Sequence, residues 1–133
     1  VPAETRVKID VRIVEPSEKA RLEELMASLS TSVPEATIEV RGGIDRPPMH
    51  PSASAGLFPV AQQAASDIGL PAVVGVAVGG GSDGNFTAAI GVPTLDGLGA
   101  VGGGAHADHE YVEVATMPDR ARLLAALIGR LPR

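Results

Sequence analysis

Two short stretches near the start of the chain alternate between apolar and polar residues, residues 6–13 and residues 37–41. A period of two with β-branched side chains predicts strands that each have one exposed face. Between them, Pro16 and Ser17 precede apolar residues at helical spacing, which predicts an amphipathic helix. Its apolar residues are Leu22, Leu25, Met26 and Leu29. The first 45 residues therefore predict a β-α-β unit.

The pattern changes after residue 41. Residues 42–56 are rich in Gly, Pro and Ser, and we interpret them as a crossover between domains. A helical apolar stripe over residues 57–68 ends at Gly69 and Pro71. Residues 72–78 are almost continuously apolar, as in a parallel strand covered on both faces. The remaining predicted elements are a short helix at 83–90 ended by Gly91, strands at 92–95 and 111–114, and a last helix after Pro118. The pattern predicts an α/β fold in two unequal pieces.

The composition excludes several classes of protein. The chain has 133 residues, of which 44% are hydrophobic and 20% charged, and this fits about one globular domain. A formal net charge of −5 without a run of Lys or Arg argues against nucleic acid as a partner. No apolar run reaches the length of a membrane span, so we expect no membrane association. The chain has no cysteine for disulfides or thiolate metal sites, and we expect it to be cytoplasmic.

Glycines at positions 79, 81 and 84 lie between the predicted strand at 72–78 and the helix after it. Their spacing matches a dinucleotide-binding fingerprint, but Asp83 would repel a pyrophosphate and no second βαβ half is evident. A tight turn without a ligand is a second interpretation. We favour a third, in which backbone N–H groups and the side chains of Ser82 and Asn85 face a small substrate that carries a carboxylate.

Two further side chains have the chemistry of a site. His106 follows three glycines that leave its imidazole unshielded, and neutral imidazole is a common zinc ligand. A solvated or packing histidine is the alternative. Asp108 and His109 complete a superficial metal motif, but we interpret both as exposed loop residues because adjacent side chains diverge. Arg46 precedes two prolines that stiffen the backbone, which suits a fixed guanidinium that binds a carboxylate; a simple surface charge is the alternative. No residue is predicted to be a catalytic acid, base or nucleophile.

Several segments, taken in order, carry a resemblance to a known family. They are Val1-Pro2-Ala3-Glu4, Ile9-Asp10-Val11-Arg12, Arg46-Pro47-Pro48-Met49, Gly79-Gly80-Gly81-Ser82-Asp83, and Gly104-Ala105-His106 with Glu110-Tyr111-Val112. The chain resembles the zinc aminoacyl amidohydrolases that include glutamate carboxypeptidase, acetylornithine deacetylase and succinyl-diaminopimelate desuccinylase. It is most similar to the glutamate carboxypeptidase branch.

The resemblance implies a division of the chain. Residues 1–45 would form the second half of a ferredoxin-like βαββαβ lid, often a dimerisation domain. Residues 46–133 would form the C-terminal part of a zinc-peptidase α/β catalytic domain. The site residues that match are His106 as a zinc ligand, Arg46 as the grip on the substrate carboxylate, and Gly80, Gly81 and Ser82, with Asp83 and Asn85 beside them, as the substrate loop.

The same resemblance implies residues that this sequence lacks. The family's other metal ligands, its general-base glutamate, its lid histidine and a substrate-binding asparagine belong upstream. We therefore expect a C-terminal fragment that supplies one ligand to two zinc ions and is inactive alone. In the complete enzyme the zinc ions would activate water to cleave the amide of an N-acyl amino acid or peptide with a free carboxylate. The expected partners are this substrate, the missing N-terminal half and, through the lid, a second copy. The alternative is a non-catalytic assembly or interaction module that uses an unpaired sheet edge.

Overall fold

Helices dominate the regular structure of the computed structural model, which describes residues 3–132. Residues Val1 and Pro2 of the first family segment lie outside this range. Strand β1 (Gly102–Gly103) pairs antiparallel with β2 (Tyr111–Val112), and Gly103 lies opposite Tyr111. The helices are α1 (Glu18–Ala27), α2 (Phe58–Asp67), α3 (Gly84–Ala89) and α4 (Met117–Ile128), with 3₁₀ turns at Pro51–Ser54 and Val114–Thr116. This mixture of helices and a small sheet is consistent with an α/β domain.

The end of α2 shows how the sequence determines a helix boundary. Gly69 has a φ of 71°, in the left-handed region that favours glycine. Its N–H donates to the Ser66 carbonyl at 3.1 Å, and the Leu70 N–H donates to the Ala65 carbonyl at 2.9 Å. This pair of bonds is a Schellman motif, which satisfies carbonyls at the helix end. The predicted stop at Gly69 is therefore confirmed.

The core lies between α2 and α4. Ala64 and Ala65 are fully buried, and their small side chains let Leu123 and Leu127 of α4 approach the α2 backbone closely. The partly buried residues packed around this cluster are Val60, Leu70, Val73, Leu95, Leu98 and Ala126. The apolar stripe predicted over residues 57–68 thus contributes the α2 face that packs against α4.

Polar bonds join the C-terminal end of α2 to α4 and to the residues just after it. Arg130 Nη2 lies 2.7 Å from Asp67 Oδ2, and Arg122 Nη2 donates to the Ile68 carbonyl at 3.0 Å. Gln63 Nε2 also donates to Asp67, at 2.6 Å. The hydrogen bond from Arg130, followed by that from Gln63, lowers the pKa of the Asp67 carboxyl below its ordinary value.

Most of the predicted strands are not paired. The prediction of strands at 6–13, 37–41, 72–78 and 92–95 is wrong for the structure, while the strand at 111–114 is partly confirmed as β2. A strand needs a neighbour to take its ladder hydrogen bonds, and within residues 3–132 the sole ladder joins β1 to β2. Of the predicted β-α-β unit, the helix is present as α1, and the ferredoxin-like half-lid is not confirmed.

In the part of the chain that the structure describes, no helix is both long and apolar enough to cross a membrane.

Candidate functional site

Side chains within the glycine-rich loop before α3 hold that loop in place. Asn85 Oδ1 accepts a hydrogen bond of 2.8 Å from the Ser82 N–H, and Ser82 Oγ accepts one of 3.1 Å from the Gly84 N–H. These bonds satisfy N–H groups that the start of a helix otherwise leaves free. In this conformation the Ser82 and Gly84 N–H groups are therefore not available to a ligand. This weakens the dinucleotide interpretation, and it equally weakens the favoured interpretation, in which these N–H groups and the Asn85 side chain face the substrate.

Asn85 also connects the loop to the segment that carries Arg46. Its Nδ2 donates a hydrogen bond of 2.8 Å to the Pro47 carbonyl, so both polar atoms of this partly buried side chain are engaged. Proline has a fixed φ, which makes the backbone after Arg46 stiff. Met49 Sδ lies 3.4 Å from the position of a Cβ atom on Gly84. The segment after Arg46 thus packs against the start of α3.

Arg46 lies against Gly81 and over Phe86. A Cβ atom on Gly81 would be 2.8 Å from both Cδ and Nη1 of Arg46, so the arginine occupies the space that any larger residue would need. Arg46 Cζ is 4.9 Å from the centroid of the Phe86 ring, which is a cation–π distance. Neither contact uses a hydrogen bond of the guanidinium.

Arg46 differs from the other arginines of the described residues. Within residues 3–132 it alone has neither a hydrogen-bond acceptor nor an ion-pair partner, and it is exposed. A guanidinium matches a carboxylate in bidentate geometry. An exposed, unpaired guanidinium next to a glycine loop is therefore suited to bind an anion. The arginines that do have partners are Arg6, Arg12, Arg21, Arg41, Arg120, Arg122 and Arg130.

A second guanidinium contacts the same loop. Arg12 Nη1 donates to the Gly79 carbonyl at 2.5 Å, and Arg12 Nη2 lies 3.5 Å from Asp10 Oδ2. This contact ties the N-terminal part of the chain to the glycine loop. Sequence reasoning missed it, because Arg12 sits in an alternating stretch where a polar residue signals only an exposed position.

His106 lies in the loop that joins β1 to β2. Its φ of 66° is in the left-handed region, which is uncommon for a non-glycine residue. Glu110 Oε2 accepts a hydrogen bond of 3.3 Å from the His106 N–H, and the Ala107 N–H donates to the Gly104 carbonyl at 2.8 Å. His106 is exposed. The loop therefore presents the imidazole at the surface on a turn held by backbone bonds.

The glycines before His106 serve the hairpin. A Cβ atom on Gly102 would collide with the Tyr111 carbonyl oxygen, and one on Gly103 would be 3.0 Å from the Tyr111 ring. The glycine run therefore permits the close pairing of β1 with β2, which fixes where the His106 loop begins.

The residues around His106 do not fit a complete metal centre. Among residues 3–132, no three His, Cys, Asp or Glu side chains lie close enough together to hold a metal ion. A catalytic zinc needs about three protein ligands. Asp108 and His109 are exposed loop residues, as predicted.

The structure groups some of the predicted site residues and separates another. Arg46 and Gly81 are in contact, and Ser82 and Asn85 are hydrogen-bonded beside them. Gly80 lies in the same loop, and a Cβ atom on it would meet nothing within 4 Å. His106 is on a different loop, and within the described range no hydrogen bond or ion pair joins it to this group. The candidate site is therefore the group around Arg46.

One polar pair outside this group has no signal in the sequence. His50 Nδ1 lies 2.9 Å from Ser52 Oγ and accepts a hydrogen bond of 3.2 Å from the Ser52 N–H. His50 is the N-cap of the Pro51–Ser54 turn, and its Nδ1 caps that turn. The pair therefore has a structural role.

A model of peptidase family M20/M25/M40 matches residues 2–130, nearly the whole chain. The chain belongs to this family. No curated protein and no solved structure gives a match to it. Membership of the M20 family confirms the resemblance at family level and indicates a hydrolase of the peptidase class.

M20 peptidases are generally metal-dependent, but the described residues contain no group of three His, Cys, Asp or Glu side chains that could hold a metal ion. Residues 3–132 of this M20 chain contain an unpaired cation and an exposed imidazole, but they do not assemble a metal site. No chemical step through a metal therefore follows from these residues.

Proposed function

We propose that the chain forms the carboxylate-binding part of a metal-dependent carboxypeptidase or deacylase, nearest to glutamate carboxypeptidase. The substrate is an N-acyl amino acid or a peptide with a free carboxylate, and the reaction is cleavage of its amide bond. One observation carries this proposal: Arg46 is exposed, fixed beside Gly81, and without an acceptor among residues 3–132.

In this proposal Arg46 binds the substrate carboxylate through paired N–H donors. Holding the acid end of the substrate fixes which amide bond faces the reacting centre. Gly80, where a Cβ atom would meet nothing within 4 Å, lets the substrate approach the loop closely, and Gly81 leaves the space that Arg46 occupies. Asn85 positions Arg46 through its bond to Pro47. The Ser82 hydroxyl, which accepts from the Gly84 N–H, is proposed to contact the ligand.

His106 enters the proposal as one ligand of the family's pair of zinc ions. The other ligands and the general base come from polypeptide outside residues 3–132. Residues 1–45 belong to a lid in this proposal, and residues 46–133 belong to the catalytic domain. The chain alone is then expected to bind Zn²⁺ weakly and to hydrolyse nothing. Replacing His106 by Ala is expected to reduce the weak binding, while His50→Ala leaves it unchanged. Hydrolysis of an N-acyl amino acid by the purified chain would contradict this part.

Carboxylate binding by Arg46 is tested with a matched pair of ligands, hippurate and its amide. Calorimetric or NMR titration is expected to show binding of hippurate only, because the amide lacks the charge. Arg46→Gln is expected to weaken hippurate binding by roughly 10- to 100-fold, the range for a charged hydrogen-bonded group. Arg41→Gln is the control, since Arg41 is exposed and pairs with Glu39. Equal binding of both ligands, or an unaffected Arg46→Gln, refutes the proposal.

A second candidate function is a non-catalytic assembly module. Val74, Val76 and Val78 alternate along the chain and are 73%, 76% and 73% exposed, and Val7 is 75% exposed. Apolar residues in unpaired segments favour association with another chain. The homodimer expected through the lid follows from the family resemblance instead, but it is tested by the same measurement. Light scattering that shows a monomer at high concentration would count against it.

A further inference from the structure

We infer that Phe86 is a positioning residue for Arg46 and sets the affinity of the carboxylate site without touching the substrate. The inference rests on the proposed function of Arg46 in binding a carboxylate. The contact itself, however, has a readout that needs no ligand.

The Phe86 ring packs against the Arg46 guanidinium rather than against the core. The ring centroid is 4.9 Å from Arg46 Cζ, and Phe86 remains 45% exposed. Phe58 provides the contrast within the same chain, because its ring lies 3.6 Å from the Cβ position of Gly75 and packs against that segment. The chain therefore has one phenylalanine that serves packing and one whose ring holds a cation.

Gly81 completes the positioning of Arg46. The atoms nearest its Cβ position are Cδ and Nη1 of Arg46, both 2.8 Å away, at the far end of a flexible side chain. A methyl group at position 81 would therefore displace the arginine and leave the backbone in place. Contacts with both Gly81 and Phe86 restrict the rotamers of Arg46.

This restriction matters because a free arginine side chain loses rotamer freedom when it binds a ligand. A guanidinium that is already held over a ring loses less, so its affinity for an anion is higher. The N–H groups stay available, because neither contact is a hydrogen bond. Phe86 thus raises affinity through pre-organisation.

The contact is tested first without ligand, by NMR of Arg46 in the full chain. Ring current from Phe86 is expected to move the Arg46 Hδ and Hε resonances upfield. Phe86→Leu is expected to abolish this shift, and Phe86→Tyr to retain it. Gly81→Ala is expected to abolish it with little change in melting temperature, and Gly56→Ala, which meets nothing within 4 Å, serves as the control. An Arg46 spectrum that Phe86→Leu leaves unchanged overturns the inference.

The affinity is tested second, by titration with hippurate. Phe86→Leu is expected to weaken binding by about 2- to 5-fold, the effect of an exposed cation–π contact. Phe86→Tyr is expected to restore it, and Phe58→Leu to leave it unchanged. Equal affinities of the wild type and Phe86→Leu overturn the inference. A wild-type chain that binds no hippurate refutes the proposed function instead, and the resonances of Arg46 then still decide whether Phe86 holds the guanidinium.

Discussion

Asn85 Nδ2 donates a hydrogen bond of 2.8 Å to the carbonyl oxygen of Pro47, across 38 positions of sequence. Its Oδ1 accepts from the Ser82 N–H at the same distance. One partly buried amide therefore ties the glycine loop to the segment that carries Arg46.

Asn85→Asp is expected to break the first of these bonds and keep the second. The Pro47 carbonyl would lose its donor and face a carboxylate, which lowers the free energy of unfolding by about 1–3 kcal/mol. Urea denaturation measures this. Gln62→Glu is the matched control, because Gln62 makes a similar but exposed bond to the Val73 carbonyl. Equal losses of unfolding free energy in the two variants would mean that the Asn85 bond stabilises the fold no more than the exposed Gln62 bond does.

Leu127→Ala is expected to lower the free energy of unfolding by about 2–5 kcal/mol, because it leaves a cavity against α2. Leu127 is 4% exposed, whereas Leu124 on the same helix is 41% exposed. Leu124→Ala should therefore cost much less. Thermal or urea unfolding checks both, and a reversed order would contradict the packing of α2 on α4.

Gly102→Ala is expected to disrupt the hairpin, because the new methyl group would strike the Tyr111 carbonyl oxygen. Overpacking of this kind costs about 1–3 kcal/mol. Amide exchange of Glu113, whose N–H donates to the Val101 carbonyl at 2.8 Å, reports on the opening of the hairpin. Gly56→Ala should leave this exchange rate unchanged. Protection of Glu113 that persists in Gly102→Ala would contradict the pairing of β1 with β2.

Asp67→Asn is expected to make stability less dependent on pH. The bonds from Arg130 and Gln63 hold the folded pKa of Asp67 below its ordinary value of 3.8. A lowered folded pKa stabilises the fold fully above 3.8, and this contribution disappears as the pH falls through the folded value. The variant should therefore unfold at a lower urea concentration than the wild type at pH 7, and this difference should shrink as the pH falls below 3.8 toward 2.

The effect of Asp67→Asn should be small, because the Asp67 side chain is exposed to solvent and screened. Asp108→Asn is the control, since Asp108 is an exposed loop residue outside this ion pair. A difference between wild type and Asp67→Asn that is the same at both pH values would contradict the assignment.

The sequence predicts the helices better than the strands for a physical reason. The apolar stripe over residues 57–68 and the stop at Gly69 are local signals, and the structure confirms both. Strand formation depends on partners far away in sequence. The alternation at residues 6–13 therefore predicted a strand that the structure leaves unpaired.

The sequence also predicted part of the candidate site. The resemblance picked out Arg46, Gly81 and Asn85, which the structure brings together. Phe86 carried no signal, because a lone ring on a short helix has no distinctive pattern. Arg12 lies in a segment that carries the resemblance, but a charge in an alternating stretch indicates no contact with the glycine loop. Their roles follow only from what they contact in three dimensions.

Gly81 contributes no functional group, yet Arg46 occupies the volume directly above its Cα atom. A saturation scan scored by cellular abundance should therefore tolerate substitution at this glycine. The same library scored by ligand capture should reject nearly every one of those substitutions, as it does at the arginine itself. Position 81 would then register as functional solely through the room that its missing side chain leaves for Arg46.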